Sequence, residues 1–180
     1  MKRAKILLLA VASLLILSSA NVFANGSAWW SGLTIPQKKT AVINKALSYA
    51  LGSYGGECKE WVRSVVLSAS RGSSESSGHV ILPSTNPAPY DYYWLTDYSY
   101  HVAPQWGRQI EQVERGDIVQ MHLTSGLPHT IIILYNDPVS GSIRFRESNV
   151  PYTTGLVSDR TRTYAQFKAM VTAYTIYWLM

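Results

Sequence analysis

The sequence predicts an α+β fold in which N-terminal helices pack on a small antiparallel β-sheet. Two segments with an apolar stripe at helical spacing come first, and short segments rich in β-branched and aromatic residues follow from Val113 onward. Short turn-forming stretches separate the first three of these segments, as expected between antiparallel neighbours. Helices followed by such strands indicate a sheet that helices cover on one side.

The first helix is predicted over residues 37–51, because its apolar residues fall on one helical stripe, namely Val42, Ile43, Ala46, Leu47, Ala50 and Leu51. Glycine-rich sequence at 52–56 ends this helix, since glycine tolerates the backbone angles of such a stop.

A second helix is predicted to begin at or just before Cys58 and to continue to Arg71. Trp61, Val65 and Ala69 recur every four residues along it, so one face of this helix is expected to be buried.

The middle of the chain is predicted to be a long surface loop over residues 72–89, which are rich in Ser, Gly and Pro. The pattern of the Tyr- and Trp-rich stretch at 90–106 indicates no regular structure. The remaining predicted elements are strands at 117–122, 130–135 and 142–149, a helix at 164–173 and a last strand at 174–179.

Residues 1–24 have the organisation of a secretory signal peptide, with a basic start, an apolar run and an exit of small residues that ends at Ala24. The apolar run is shorter than the about 20 residues that a membrane-spanning helix needs. We therefore expect an exported protein that begins near Asn25 and is periplasmic or secreted. Residues 25–180 are expected to form a single domain.

The charge of the exported chain argues against two classes of partner. The whole sequence has 16 Lys and Arg against 11 Asp and Glu; Lys2, Arg3 and Lys5 leave with the signal, so 13 against 11 remain, a net charge of +2. A charge this small predicts neither nucleic-acid binding nor attachment to a membrane surface. A monomer without a stable membrane anchor is the expected state.

Cys58 is the only cysteine of the chain and cannot form an internal disulfide. Three interpretations are open: an inert buried thiol, an intermolecular disulfide and a reactive nucleophile. Free cysteine is among the most buried residue types, which favours the first interpretation until the neighbours of Cys58 are considered.

A histidine and two polar residues are predicted to meet at one edge of the sheet. In an antiparallel pair of strands at 130–135 and 142–149, the start of the first lies beside the end of the second. His129 opens the first strand, and Glu147 and Asn149 share a face at the end of the second. We therefore expect His129 to lie close to Glu147 and Asn149.

The predicted helix start at Cys58 adds a nucleophile to this group. Helix N-termini stabilise negative charge, and the thiolate is the nucleophilic form of cysteine. A neighbouring imidazole can take up the thiol proton, and a polar third residue can hold the ring in the useful tautomer. The N–H of Cys58 can serve as one oxyanion donor.

These motifs resemble the CHAP group of papain-like cysteine amidases and endopeptidases. The pattern of that family is a cysteine followed three residues on by an aromatic at a helix start, then Gly-Asp before a strand, a His opening the next strand, and Glu-x-Asn ending the one after. The corresponding stretches are GECKEWV at 56–62, RGDIV at 115–119, HTIIIL at 129–134 and RESNV at 146–150.

The resemblance implies a papain-like fold and a role for each residue of the motifs. By it, Cys58 is the nucleophile, His129 the base, Glu147 the residue that orients His129, and Asn149 a supporting polar group. The family cleaves amide bonds of peptidoglycan, either between sugar and peptide, as an N-acetylmuramoyl-L-alanine amidase does, or within the stem peptide or cross-bridge.

Two positions depart from the family pattern. Pro128 stands where the family commonly has Gly before the histidine, and Glu57 stands where Gln or a similar residue commonly precedes the cysteine. Because a carboxylate cannot donate a hydrogen bond unless it is protonated, Glu57 is not expected to supply the side-chain half of an oxyanion hole.

Four aromatic residues are candidates for substrate binding: Trp61, Tyr92, Tyr93 and Trp94. The last three follow the long predicted loop, where their rings can line a groove and stack on sugars. The alternative is that Tyr92, Tyr93 and Trp94 pack over the sheet.

The sequence leaves several functions open. The leading hypothesis is an exported cysteine hydrolase with peptidoglycan or a peptide as substrate, and a separate inhibitor protein stays open as a partner. The others are a wall-binding module without turnover, a thiol acyltransferase and a cysteine peptidase that cleaves proteins. A metal site from His122, His129 and Glu147 lacks the spacing of known zinc motifs, so no metal or cofactor is expected.

Overall fold

The computed structural model describes residues 29–70, 80–81, 93–94, 102–105, 107–149 and 154–179 of the 180-residue chain. The predicted signal peptide lies outside these ranges, as does most of the predicted loop at 72–89. β1 (Val80–Ile81) lies within that loop and pairs antiparallel with β2 (Tyr93–Trp94) of the Tyr- and Trp-rich stretch, where the sequence indicated no regular structure.

Two helices come first in the described chain, as predicted. Helix α1 spans Ile35–Ser48 and α2 spans Cys58–Ala69. The N–H of Thr34 donates to Gln37 Oε1 at 2.8 Å, which stabilises the start of α1. The predicted apolar stripe of α2 is buried, and α1 ends three residues before the predicted end at position 51, in a turn that exposes Leu51.

Six strands form one antiparallel sheet in the order β3-β8-β4-β5-β6-β7. Three of them match the strands predicted after Val113, and β8 contains the predicted last strand. Between β7 and β8 lies helix α3 (Tyr164–Met170), shorter than predicted because β8 already begins at Val171. The strands are β3 (Val102–Gln105), β4 (Ile118–Leu123), β5 (Pro128–Asp137), β6 (Ser142–Ser148), β7 (Val157–Thr163) and β8 (Val171–Leu179).

Side chains at alternate positions of the sheet build a core on each face. On one face, Ile118 and Ile132 pack with the buried stripes of α1 and α2. On the other, Ile131 and Phe145 pack with Phe167 of α3. The α+β class is thus confirmed, but the expectation that helices cover only one side of the sheet is wrong. Among the described residues, no helix is long and apolar enough to cross a membrane.

A buried arginine ties α1 to the edge of the sheet. Arg146 of β6 pairs with both carboxylate oxygens of Asp159, from Nε at 2.6 Å and from Nη2 at 3.1 Å, and donates to the carbonyl oxygens of Ala46 and Tyr49. Its neighbour Arg144 pairs with the same aspartate at 2.8 Å, but its side chain is 55% exposed against 6% for Arg146. The last turn of α1 is therefore fixed to the strand that also carries Glu147.

We expect Arg146→Met to lower the free energy of unfolding by about 3 kcal/mol, because the change removes one partner of a buried ion pair. Arg144→Met is the matched control and should cost about 1 kcal/mol or less, since an exposed pair with the same aspartate contributes little. Urea unfolding of the two variants measures both values. Equal losses of unfolding free energy in the two variants would show that the buried arginine contributes no more to stability than the exposed one.

Candidate active site

The loop between α1 and α2 lies directly against the end of β6. A Cβ on Gly55 would lie 2.6 Å from Ser148 Oγ and 2.8 Å from Trp61 Cδ1, so only glycine fits there. Ser148 Oγ donates to the Gly56 carbonyl at 2.7 Å. Cys58 then begins α2 beside the end of β6, with 8% of its surface exposed.

His129 and Glu147 meet between β5 and β6. The two strands pair antiparallel, with Ile133 opposite Phe145 and Ile132 opposite Arg146. His129 Nε2 lies 2.7 Å from Glu147 Oε2, and both residues are 1% exposed. Because a carboxylate only accepts, Nε2 donates this hydrogen bond. The start of one strand and the end of the next therefore bring together the two side chains that the sequence placed there.

The other carboxylate oxygen of Glu147 is held by β7. Arg160 Nε lies 2.6 Å from Glu147 Oε1, and Ser158 Oγ donates to the same oxygen at 3.3 Å. A buried carboxylate needs such partners, since an unpaired charge inside a protein is strongly destabilising. β7 therefore fixes the orientation of the group that faces the imidazole.

The imidazole of His129 also interacts with the thiol of Cys58. Burial lowers the pKa of His129, but its hydrogen bonds and charge interactions with Cys58 and Glu147 outweigh burial and raise that pKa from 6.5 to about 9. Since Nε2 faces Glu147, Nδ1 is the ring atom that remains for the thiol. The three side chains thus form a connected series of sulfur, imidazole and carboxylate.

Asn149 lies just beyond β6 and ties the loop of Glu57 to the sheet. Its backbone has a φ of 68°, a left-handed conformation that non-glycine residues rarely adopt. Its Nδ2 donates to Glu57 Oε2 at 3.0 Å, and its Oδ1 accepts from the Gly155 N–H at 3.0 Å. Asn149 therefore positions the residue directly before Cys58.

The first backbone N–H groups of α2 are not used by the hydrogen bonds of the helix itself. Glu57, the residue before the helix, makes no side-chain capping bond, because Asn149 holds its carboxylate. The first intrahelical bond runs from Trp61 N–H to the Glu57 carbonyl at 2.8 Å, so the N–H groups of Cys58, Lys59 and Glu60 precede it. These N–H groups and the helix dipole favour negative charge at the thiol.

A cavity of about 310 Å³ opens beside the thiol. This volume is at the small end of the range for ligand pockets. Charged residues from the start of α2 stand on one side of it, and residues of β4, β5 and their connection form the rest. The lining residues are Glu57, Cys58, Lys59, Glu60, Gln120, Leu127, Pro128 and Thr130.

The predicted substrate-binding role of Trp61 is wrong. Trp61 is 1% exposed and belongs to the core, where its ring meets Tyr49 edge to face with centroids 5.8 Å apart. A side chain sealed in this way has no surface left for a substrate. Tyr92 and the side chains of Tyr93 and Trp94 lie outside the described part of the chain, so their role stays a prediction.

The positions of His122 and His129 in the sheet decide whether these two residues can share a metal site with Glu147. His122 follows Met121, the residue paired with His129, so alternation points the side chains of His122 and His129 to opposite faces. No group of three metal-binding side chains occurs among the described residues. Asp117 accepts the Glu114 N–H at 2.8 Å and so fixes the turn before β4.

Among the site residues that the sequence did not predict are Gln120, Leu127 and Arg160. Gln120 stands inside an apolar strand, where alternation alone does not distinguish a lining residue from a core residue. Arg160 belongs to β7, which was not predicted. Leu127 carried a usable signal, because it lies in the turn directly before His129.

Comparison of the sequence with known protein families finds no matching family model, and no curated protein matches it either. Among solved structures, the crystal structure of Ly7917 with the hydrolyzing product of MDP is similar, with a TM-score of 0.50 and 15% identity over 77% of this chain. A second structure of Ly7917 has a TM-score of 0.45 at 15% identity over 80% of this chain. This chain spans 62% of the length of Ly7917 in both comparisons.

At this level of identity, the comparison with the first Ly7917 structure shows a shared fold. The α+β architecture is therefore that of a protein solved with the hydrolyzing product of MDP. Membership of the CHAP family and the catalytic roles of the four motif residues stay predictions.

We expect Glu147→Gln to lower the pKa of His129, which is about 9 in the wild type. Glutamine keeps the shape of the side chain but removes the negative charge that favours the imidazolium. NMR titration of labelled histidine measures the value, and His129→Asn assigns the resonance. Glu111→Gln, remote from the ring, is the control and should leave the titration unchanged. An unchanged titration in Glu147→Gln would contradict the interaction.

Proposed function

We propose that the protein is an exported cysteine hydrolase that cleaves amide bonds of peptidoglycan. The observation that carries the proposal is the connected series of Cys58, His129 and Glu147, with Nε2 and Oε2 2.7 Å apart and the thiol at the mouth of a cavity. In this proposal Cys58 is the nucleophile, His129 the acid and base, and Glu147 the residue that holds the ring. Asn149 supports the site by positioning Glu57.

The first half of the reaction follows from these positions. The Cys58 thiolate attacks the carbonyl carbon of the scissile amide, and the carbonyl oxygen takes up the negative charge. The N–H of Cys58 at the open start of α2 donates to that oxygen. The C–N bond then breaks, the imidazolium of His129 gives its proton to the departing amine, and a thioester remains on Cys58.

Water completes the reaction. The now neutral imidazole takes a proton from water, which attacks the thioester carbon and releases the carboxylic acid and the free thiolate. Glu147 stabilises the imidazolium whenever it forms and keeps Nε2 protonated, so Nδ1 is the nitrogen that exchanges protons. Both steps therefore use the same ring nitrogen.

The shared fold with Ly7917 supports the substrate class. Ly7917 was solved with the hydrolyzing product of MDP, that is, muramyl dipeptide, a peptidoglycan fragment with a sugar-linked peptide. The proposal covers both an N-acetylmuramoyl-L-alanine amidase and a stem-peptide or cross-bridge endopeptidase. Both enzymes cleave amide bonds, the amidase between sugar and peptide and the endopeptidase within the stem peptide or cross-bridge.

Purified wild-type protein should release soluble fragments from peptidoglycan sacculi, and Cys58→Ala should reduce the release by at least about a thousandfold, since the nucleophile is lost. Mass analysis of the fragments identifies the bond that is cut. Glu111→Gln serves as the matched variant with an intact site. Equal release by Cys58→Ala and the wild type would remove the proposal, and binding to sacculi without any release would favour a wall-binding module.

The activity should fall as the pH rises through about 9, because the imidazolium that protonates the leaving amine loses its proton there. Below this pH the ring holds its proton, so the alkaline limb of kcat/KM reports the pKa of His129. Glu147→Gln should move that limb to lower pH. If the alkaline limb of kcat/KM stays at the same pH in Glu147→Gln, the limb reports the pKa of a group other than His129.

Alkylation tests the pairing of sulfur and imidazole without any substrate. Iodoacetamide should label Cys58 of the folded protein at neutral pH, and His129→Ala should slow the labelling, because the ring no longer stabilises the thiolate. Intact mass measured over time gives both rates. Identical rates in the two proteins would count against a functional pair.

A further inference from the structure

A buried amide lies at the floor of the cavity beside Cys58 and has no assigned role. Gln120 stands in the middle of β4, with Thr130 of β5 and Thr175 of β8 as its Cα partners. Its side chain lines the cavity although the residue is only 1% exposed. Among the described residues, its Oε1 has no hydrogen-bond partner.

An unpaired amide oxygen in this position is unfavourable for the stability of the fold. A buried acceptor that has lost water and gained no partner destabilises a protein, and most buried polar groups are therefore bonded. A ligand in the cavity that donates a hydrogen bond to Gln120 Oε1 would remove this penalty. Gln120 shares this cavity with Cys58, so such a ligand lies next to the thiol.

We propose that Gln120 is a substrate-binding residue, whose Oε1 accepts a hydrogen bond from an N–H or O–H of the substrate residue that enters the cavity beside Cys58. The proposal rests on the proposed function, since it takes the ligand of the cavity to be the substrate of the thiol. It assigns the cavity as the subsite for a residue next to the scissile amide.

The lining of the cavity indicates the class of that residue. Leu127 and Pro128 supply an apolar wall, and the floor offers the neutral amide of Gln120. Glu57, Lys59 and Glu60 line another part of the same cavity, but a charged side chain placed against Gln120 would be desolvated with only a neutral partner there, which is unfavourable. The subsite therefore fits a small substrate residue that has an apolar part against Leu127 and Pro128 and a neutral hydrogen-bond donor toward Gln120.

Gln120→Met tests the proposal, because methionine is close to glutamine in length and removes the amide. Thr175→Val is the matched control: Thr175 is 3% exposed on the neighbouring strand, and its Oγ1 also lacks a partner among the described residues, but it does not line this cavity. Both changes remove one buried unpaired polar group. Neither should lower the melting temperature, since no protein hydrogen bond is lost.

Kinetics with a soluble disaccharide-peptide muropeptide separate the two variants. Gln120→Met should lower kcat/KM about five- to tenfold, mainly through KM, which is the loss expected for one neutral hydrogen bond. Thr175→Val should match the wild type. Alkylation of Cys58 by iodoacetamide should be equally fast in all three proteins, because Gln120 binds substrate and does not act on the thiol. Equal kcat/KM in Gln120→Met and the wild type would overturn the proposal, as would slowed alkylation.

Binding of the same muropeptide to inactive protein distinguishes failure of this inference from failure of the proposed function. Calorimetry measures the Kd of the muropeptide for Cys58→Ala and for the double variant Cys58→Ala/Gln120→Met. The Kd should be about five- to tenfold higher for the double variant, the same factor as the loss of kcat/KM. If the wild type shows no turnover, the proposed reaction falls, and a Kd that still depends on Gln120 supports the subsite. If the wild type is active but both Kd values agree, the reaction stands and the subsite is wrong.

Discussion

The contact between His129 and Glu147 is the interaction on which the site depends. Both residues are 1% exposed, and their polar atoms are 2.7 Å apart. Placing a carboxylate and an imidazole inside a protein costs several kcal/mol for each charge unless the two are paired. The pairing therefore offsets part of the cost of burying each residue, with Arg160 as the second partner of Glu147, and it holds the ring in one orientation.

The surrounding chain is arranged so that the thiol meets this pair. Gly55 allows the loop before α2 to touch β6, and Asn149 holds Glu57 through a hydrogen bond of 3.0 Å. The left-handed backbone of Asn149, with a φ of 68°, is a costly conformation of the kind that occurs at functional sites. It is fixed by the bond from the Gly155 N–H to Oδ1 and by its own N–H, which donates to the Leu156 carbonyl at 3.1 Å.

Local patterns predicted the parts of the site that lie on regular elements. The register of a hairpin follows from alternation and turn length, so the proximity of His129 and Glu147 could be predicted. The glycine stop before Cys58 likewise predicted the start of α2. By contrast, β7 has the sequence VSDRTRT, which is polar and partly exposed at the edge of the sheet and carries no apolar alternation.

Residues whose role depends on the other side of the fold could not be predicted. Trp61 belongs to a stripe that predicted burial, although it was also a candidate for substrate binding. The helix turns its side chain into the core. In the sequence, Gln120 is one polar residue in an apolar strand. Only the packing of α2 over β4 and β5 shows that its side chain lines a cavity. Such assignments need the three-dimensional neighbours of each side chain.

The most direct measurement of the central claim is the intact mass of the protein after rapid acid quench during turnover of a soluble muropeptide. We expect an adduct with the mass of the acyl fragment, located on Cys58 by peptide mapping. It should accumulate when Glu147 is replaced by glutamine, because deacylation also needs the oriented ring. Substrate consumption without any adduct on Cys58, or turnover by a protein that lacks this thiol, would contradict it.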